Sequence, residues 1–362
     1  MWSLMSGSLT LPAAPSRLAL IDALKALGSQ FIVLHHLAFY GPMSDYTHEL
    51  MPAVVEWFSQ QGRLAVQIFI VVAGFLAARS LAPRGTLVAQ RPWAILWQRF
   101  LRIVLPFMVA LGVSALCSDV ASHLMEHDSL PASATAWQWL THAFLLHGVL
   151  GVDSLSAGVW YVAIDFQLFA LLLVLLWGVR TLGLGARQVV VGVTLLVLAS
   201  LFFFNRISDW DVWALYFFGA YGLGALAFWA SRQSSGTRVG AGLLALGLIT
   251  ITALLFDFRS RIALALVVAL LLGWAKYSRW ITRWPQGRAW AFFGKISYGV
   301  FLLNFPVALV VNALFTRFVA PDPWLQTLGV LCAWVACNLA GAVFYLVVEA
   351  RLIPHTLARF QR

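Results

Sequence analysis

One apolar stretch, LALIDALKALGSQFIVLHHLAFYG at 18–41, carries Asp22, Lys25, Ser29, Gln30, His35 and His36 in a segment otherwise built for burial. Eleven residues separate Lys25 from His36, close to three helical turns. A helix therefore puts both on one face, about 16 Å apart, with Ser29 on the same stripe. A cation at one end and an imidazole at the other suit two tasks, holding an anion and exchanging a proton near neutral pH. The bland alternative is an Asp22–Lys25 pair that neutralises itself and a histidine that meets an interface. The density of polar groups in so apolar a stretch favours a site.

Three further groups have chemical potential. Arg99 and Arg102, spaced i, i+3 in RFLR, project from one helix face, and guanidinium forks match phosphate oxygens; a surface anchor explains the same pair equally well. Trp160-Tyr-Val-Ala-Ile-Asp165 places a carboxylate inside another apolar run, with no cation nearby in sequence. It requires a partner from a different element. Ser297, Tyr298 and Asn304, beside Lys295, mark a third run, and Glu349 with Arg351 close the last. Other patterns carry less. His123-Leu-Met-Glu-His127 matches the inverted zincin form H-x-x-E-H, but a short loop without a third ligand leads us to expect no metal. Cys117, Cys332 and Cys337 are odd in number and fit no redox spacing, so buried inert thiols are expected. Gly219, Gly222 and Gly224 are expected to allow close helix packing.

The elements that must position these residues follow from composition. Of 362 residues, 61% are hydrophobic and 10% charged, against about 25% charged in a globular domain. The expectation is an all-α polytopic transmembrane bundle. About ten runs are long enough to cross: 18–39, 64–83, 100–118, 157–179, 188–205, 212–231, 239–256, 261–275, 290–316 and 323–349. An eleventh candidate, 137–151, is short and broken by Thr141, His142 and His147. The positive-inside rule decides its status. With ten spans and both termini cytoplasmic, seventeen of the 24 basic residues fall inside and five outside (Arg63, Arg206, Arg259, Arg261 and Arg317), while eleven of the 14 acids fall outside. A crossing at 137–151 would invert every later loop, so it is expected as an outer-face or re-entrant helix. The net charge of +10 is thereby topology, and nucleic acid drops out as a partner. One membrane domain at 17–351 is expected, with a short tail at 1–16, a basic cytoplasmic tail at 352–362 and no evident signal peptide.

In order, these motifs resemble the acyltransferase 3 family of bacterial inner-membrane proteins. IDALKALGSQFIVLHH resembles the family's opening "LDgLRaiA…H", with Lys25 at the arginine position and His36 at the histidine. VQIFIVVAGF at 66–75 resembles "vdlFFvlSGF", and RFLRIVLP the basic "RxxRixP". WYVAIDFQLF at 160–169 resembles "WsLsvEeqfY", placing Asp165 at the acidic position. GKISYGVFLLNFP at 294–306 resembles "GkiSYsiYLlHfP", and VVEAR at 347–351 the closing "iErP". Three departures stand out: lysine for arginine at 25, Ala73 for the SGF serine, and Asn304 for the late histidine.

The resemblance implies an integral-membrane O-acyltransferase of the cell inner membrane. It would take an acyl group, acetyl by default, from cytoplasmic acyl-CoA to a hydroxyl of a cell-surface saccharide or related acceptor, with no bound cofactor. His36 would be the catalytic base and Asp165 would orient it. Lys25, Arg99 and Arg102 would hold the donor, and Asp22, His35, Trp160, Ser297, Tyr298, Asn304 and Glu349 would support the site. Transfer would be direct or through an acyl-histidine. The rival class is a transporter or flippase, since a buried polar track fits a substrate path.

Overall fold

The computed structural model describes residues 17–88 and 91–354; the tail at 1–16 and most of that at 352–362 lie outside them. Within a bilayer the backbone must satisfy its own hydrogen bonds, so apolar runs become helices. The chain forms α1 (Ala19–Phe39), α2 (Pro42–Leu50), α3 (Pro52–Gln61), α4 (Val66–Leu81), α5 (Pro92–Ser122), α6 (Ala136–Ala143) and α7 (Trp160–Thr181). There follow α8 (Ala186–Phe202), α9 (Ala214–Ala230), α10 (Gly236–Phe256), α11 (Ser260–Tyr277), α12 (Arg288–Phe318) and α13 (Pro323–Phe344), which continues as a π-helical stretch, Tyr345–Leu352. No strand occurs among the described residues. Each of the ten expected runs is helical. The short α2 and α3, each opened by a proline suited to a first helical turn, were not foreseen.

Among the described residues, eight helical stretches are long and apolar enough to cross a membrane. The two other expected spans are α1, of which more than half the residues are buried, and α9, which is buried almost throughout. Polar residues dilute α1, which is surrounded by α3, α4, α12 and α13, as befits a helix whose Lys25, Gln30 and His36 are costly against lipid. Gln30 exchanges hydrogen bonds with Asn338 at 2.8 and 3.2 Å and accepts one from Trp334 at 2.9 Å, tying α1 to α13. The 17-residue α9 is buried on all sides, the pattern of a central helix. Leu116, Leu195, Leu244 and Leu255 instead stand exposed on the outside of the bundle, where lipid replaces water as the neighbour.

Small residues let α9 sit at the centre. A Cβ on Gly224 would overlap the Val71 carbonyl of α4, and one on Gly74 would overlap the Tyr221 carbonyl of α9. Gly219 and Gly222 meet Leu201 and Val197 of α8 in the same way, so the expected close packing is what the structure builds. Backbone cannot rotate aside as a side chain can. Gly224→Leu is therefore expected to cost at least the ~1–3 kcal/mol of core overpacking, read as a lowered unfolding midpoint in detergent. Gly240→Leu, where an added Cβ meets nothing within 4 Å, should leave the midpoint in place.

The segment 137–151 forms no helix long enough to cross. Its helix α6 has 8 residues, about 12 Å against a ~30 Å hydrocarbon core. Thr135 and Gln138 cap it reciprocally, after which the chain runs through turns to Val159. His142 stacks on Phe107, in the middle of α5, at 6.2 Å, and Ser114 donates to the Leu155 carbonyl at 3.3 Å. The segment thus folds back into the bundle. Irregular backbone at such a position is tolerated where protein buries it or where it lines a cavity, and both hold here.

Candidate active site

His36 lies in the last turn of α1, 6% exposed. Asn304 on α12 donates its amide to the Val300 and Phe301 carbonyls at 3.0 and 2.7 Å. That assigns its oxygen to the other side, where His36 Nδ1–H donates to it. The remaining nitrogen, Nε2, carries the lone pair and makes no hydrogen bond among the described residues. Phe305, Tyr40 and His35 pack against the ring at 6.2, 5.5 and 5.4 Å between centroids. Gly158, at φ +79°, brings the re-entrant segment against it: a Cβ there would lie 3.4 Å from Cε1 and 3.8 Å from Nε2.

His36 lines a cavity of about 1150 Å³. The walls come from the C-terminal end of α1, the N-terminal ends of α4, α7, α9 and α11, the re-entrant segment, and Phe301 of α12. His35, which a simple helical wheel turns about 100° away, also reaches this cavity; its Nδ1 donates to the Phe58 carbonyl at 3.1 Å. Trp160 lies on the wall, stacked on Phe217 at 5.4 Å.

The second polar cluster lies beyond this cavity, and here one expectation is corrected. Asp165 does not orient His36. Its carboxylate pairs with Arg99 at 2.6 Å, which supplies the partner from another helix that the sequence required. A buried carboxylate binds the nearest guanidinium because leaving either alone costs several kcal/mol. Asn304 occupies the orienting place instead. Arg99 is accordingly no free phosphate fork: besides the ion pair it lies over the Phe169 ring at 5.3 Å. Arg102 is exposed and makes no ion pair among the described residues.

Lys25 is half-buried, with Asp22 and Glu349 as its charged neighbours. Asp22 itself is tied to Arg17 at 2.6 Å, and Glu349 Oε1 is buried without a partner among the described residues. Tyr298 donates to the Ile103 carbonyl at 3.3 Å and Ser297 to Gly294 at 3.0 Å, so both serve packing. Phe301, on the cavity wall, packs with Phe69 and Tyr161, their centroids 5.4–6.4 Å apart.

The remaining candidates sit elsewhere. His123 and His127 bond locally, to the Asp119 carbonyl at 2.7 Å and to Ser129 at 3.0 Å. Cys337 is buried and donates to the Asn304 carbonyl at 3.3 Å. Cys117 is partly buried, and Cys332, contrary to expectation, is exposed. Sequence reasoning did not pick out Gly158, His147, Arg63, Arg259 or Arg261 as cavity residues. The interruption of 137–151 by histidines, and the scarcity of arginine on one side of the membrane, were the available signals.

A helical membrane bundle whose buried imidazole has one nitrogen fixed and the other turned to a cavity has the features of a multi-pass membrane enzyme. A family model described as an acyltransferase domain, acyltransferase 3, matches residues 18–343, and the chain belongs to that family. It is a membrane O-acyltransferase, transferring groups other than amino-acyl groups. No curated protein and no solved structure matches it.

Proposed function

We propose that the protein transfers an acyl group, acetyl by default, from cytoplasmic acyl-CoA to a hydroxyl of a saccharide or related acceptor at the outer face of a bacterial inner membrane. The observation that carries this reading is the His36–Asn304 pair, which leaves Nε2 as a base at the wall of a cavity large enough for a sugar. The charge layout supports the orientation. Lys276, at the end of α11, shares its surroundings with Arg279 just after it, with Arg79 in the last turn of α4 and with Arg232 just after α9. That basic end is the cytoplasmic one on the positive-inside rule, and the cavity opens at the other. Ten crossings with both termini inside remain the arrangement that accommodates this layout.

In the reaction, His36 Nε2 takes the proton of the acceptor hydroxyl as its oxygen attacks the thioester carbonyl carbon. The carbon–sulfur bond breaks, and the departing thiolate of CoA receives the proton from the imidazolium. Asn304 holds the ring so that Nδ1 stays protonated throughout, the part a neutral amide plays in Cys-His-Asn sites. Lys25 and Arg102 hold the donor's phosphates at the basic end. Purified protein in proteoliposomes, given acyl-CoA and a candidate acceptor, should release free thiol and add the acyl mass to the acceptor without any ion gradient. A requirement for a gradient with no thiol released would overturn the reading.

Arg102→Ala is expected to raise the KM for acyl-CoA by about tenfold, the loss of one charge-assisted hydrogen bond, with the acceptor KM little changed. Steady-state kinetics with each substrate varied in turn checks it.

A further inference from the structure

The cavity end of the bundle is the end where basic residues are scarce, yet Arg63, Arg259 and Arg261 all line the cavity, with Asp211 as the one acid on its wall. Two of the three are fixed. Arg259 donates to the Asn205 side chain at 2.6 Å and the Leu201 carbonyl at 2.9 Å, and it pairs with Asp257 at 3.4 Å. Arg261 donates to the Asn205 carbonyl at 2.9 Å and lies over Tyr216 at 4.6 Å. Burial, with Arg261 adding to it, draws the Arg259 pKa below its ordinary value while Asp257 opposes; a guanidinium stays charged regardless. Arg63 is exposed and makes no hydrogen bond or ion pair among the described residues.

A second observation is independent of these charges. His147 lines the same cavity and is 1% exposed, yet neither of its ring nitrogens has a partner among the described residues. It stacks on His142 with centroids 4.0 Å apart and planes 5° from parallel. The contrast with His142 is instructive, since that ring donates to the Gln138 carbonyl at 2.7 Å and accepts from the Leu155 amide at 3.2 Å. Burial, and then His142, pushes His147 down to about 4. At neutral pH it therefore offers one N–H donor and one lone pair, neither used by the protein, and unpaired buried polar groups call for a partner.

We propose that this cavity binds an acceptor bearing a phosphate or carboxylate, caught by Arg63 beside the fixed charges of Arg259 and Arg261, while His147 hydrogen-bonds a neighbouring hydroxyl. The proposal rests on reading His36 as the base that faces the acceptor. A recess of this kind strengthens attraction between opposite charges relative to open water, and it selects anions at an end of the protein whose surroundings are acidic.

The test needs no acyl donor. Purified full-length protein in phospholipid-free detergent is titrated with glucose, glucose 1-phosphate and glucuronate, and the shift in unfolding midpoint is followed. The two anionic sugars are expected to bind at least about tenfold tighter than glucose, the value of a charge-assisted contact. The preference should shrink at high salt and in Arg63→Gln. His147→Phe, which keeps the stack, should weaken all three sugars alike. Equal binding of glucose, or an anion preference unchanged in Arg63→Gln, overturns the proposal. So does stabilisation by inorganic phosphate or phosphatidylglycerol equal to that by the sugar phosphate. A failed anion preference leaves the transfer reading intact, whereas a His36→Ala protein that still acylates overturns the transfer reading and leaves anion binding measurable.

Discussion

His36→Ala is expected to lower acyl transfer by about 10²–10⁴-fold, the range over which a positioned base contributes, in protein that still inserts and folds. Among the described residues, the ring's one hydrogen bond is to Asn304. Its loss frees an amide that keeps two backbone partners, so the structural cost is modest and the chemical cost large. His35→Ala should remain within about tenfold of the parent, since that ring's bond is to a backbone carbonyl at the cavity edge. Asn304→Leu should fall between them, because an imidazole without a fixed Nδ1–H divides its population between two tautomers. Thiol release from acyl-CoA, measured on protein shown monodisperse by gel filtration, reads all three. Wild-type rates from His36→Ala would remove this residue from the chemistry.

Breaking one half of the Arg99–Asp165 pair is expected to destabilise the fold by about 3–5 kcal/mol, because the survivor is an uncompensated charge inside the bundle. Asp165→Leu and Arg99→Met should each lower the unfolding midpoint in mild detergent. The double variant should recover most of the loss, since an apolar pair of similar volume replaces a buried ion pair at little cost. Activity in the double variant then separates two roles. Recovered folding with recovered transfer makes the pair a packing device between α5 and α7. Recovered folding without transfer means that its charge serves the donor or the reaction.

The helices were legible because lipid imposes length and hydropathy on every span, and the ten runs became helices near their expected bounds. Charge sorting alone argued against a crossing at 137–151, because a crossing there would move the later arginines to the other face, and the structure builds there only the 8-residue α6. What the sequence could not disclose was pairing across distance. Asp165 and Arg99 are 66 residues apart and His36 and Asn304 are 268 apart, and nothing local says which carboxylate or amide reaches which ring. The family pattern made Asp165 the natural partner for His36, yet helix packing brought Arg99 to it first. Asn304, valued only as a supporting residue because it cannot act as a base, proved to hold the imidazole. The cavity arginines were visible as residues, but only the convergence of the α3–α4 turn with the start of α11 places them together.

The triangle of Phe69, Tyr161 and Phe301 has an electrical consequence. A row of ionisable groups running from one face of a membrane to the other invites protons to hop along it, and an energised membrane would discharge through every copy of the enzyme. Phe69, Tyr161 and Phe301 pack on one another at centroid distances of 5.4–6.4 Å, and of the three only Tyr161 carries a group that exchanges a proton. A proton leaving the cavity along these rings therefore meets a single hydroxyl rather than a chain of ionisable groups.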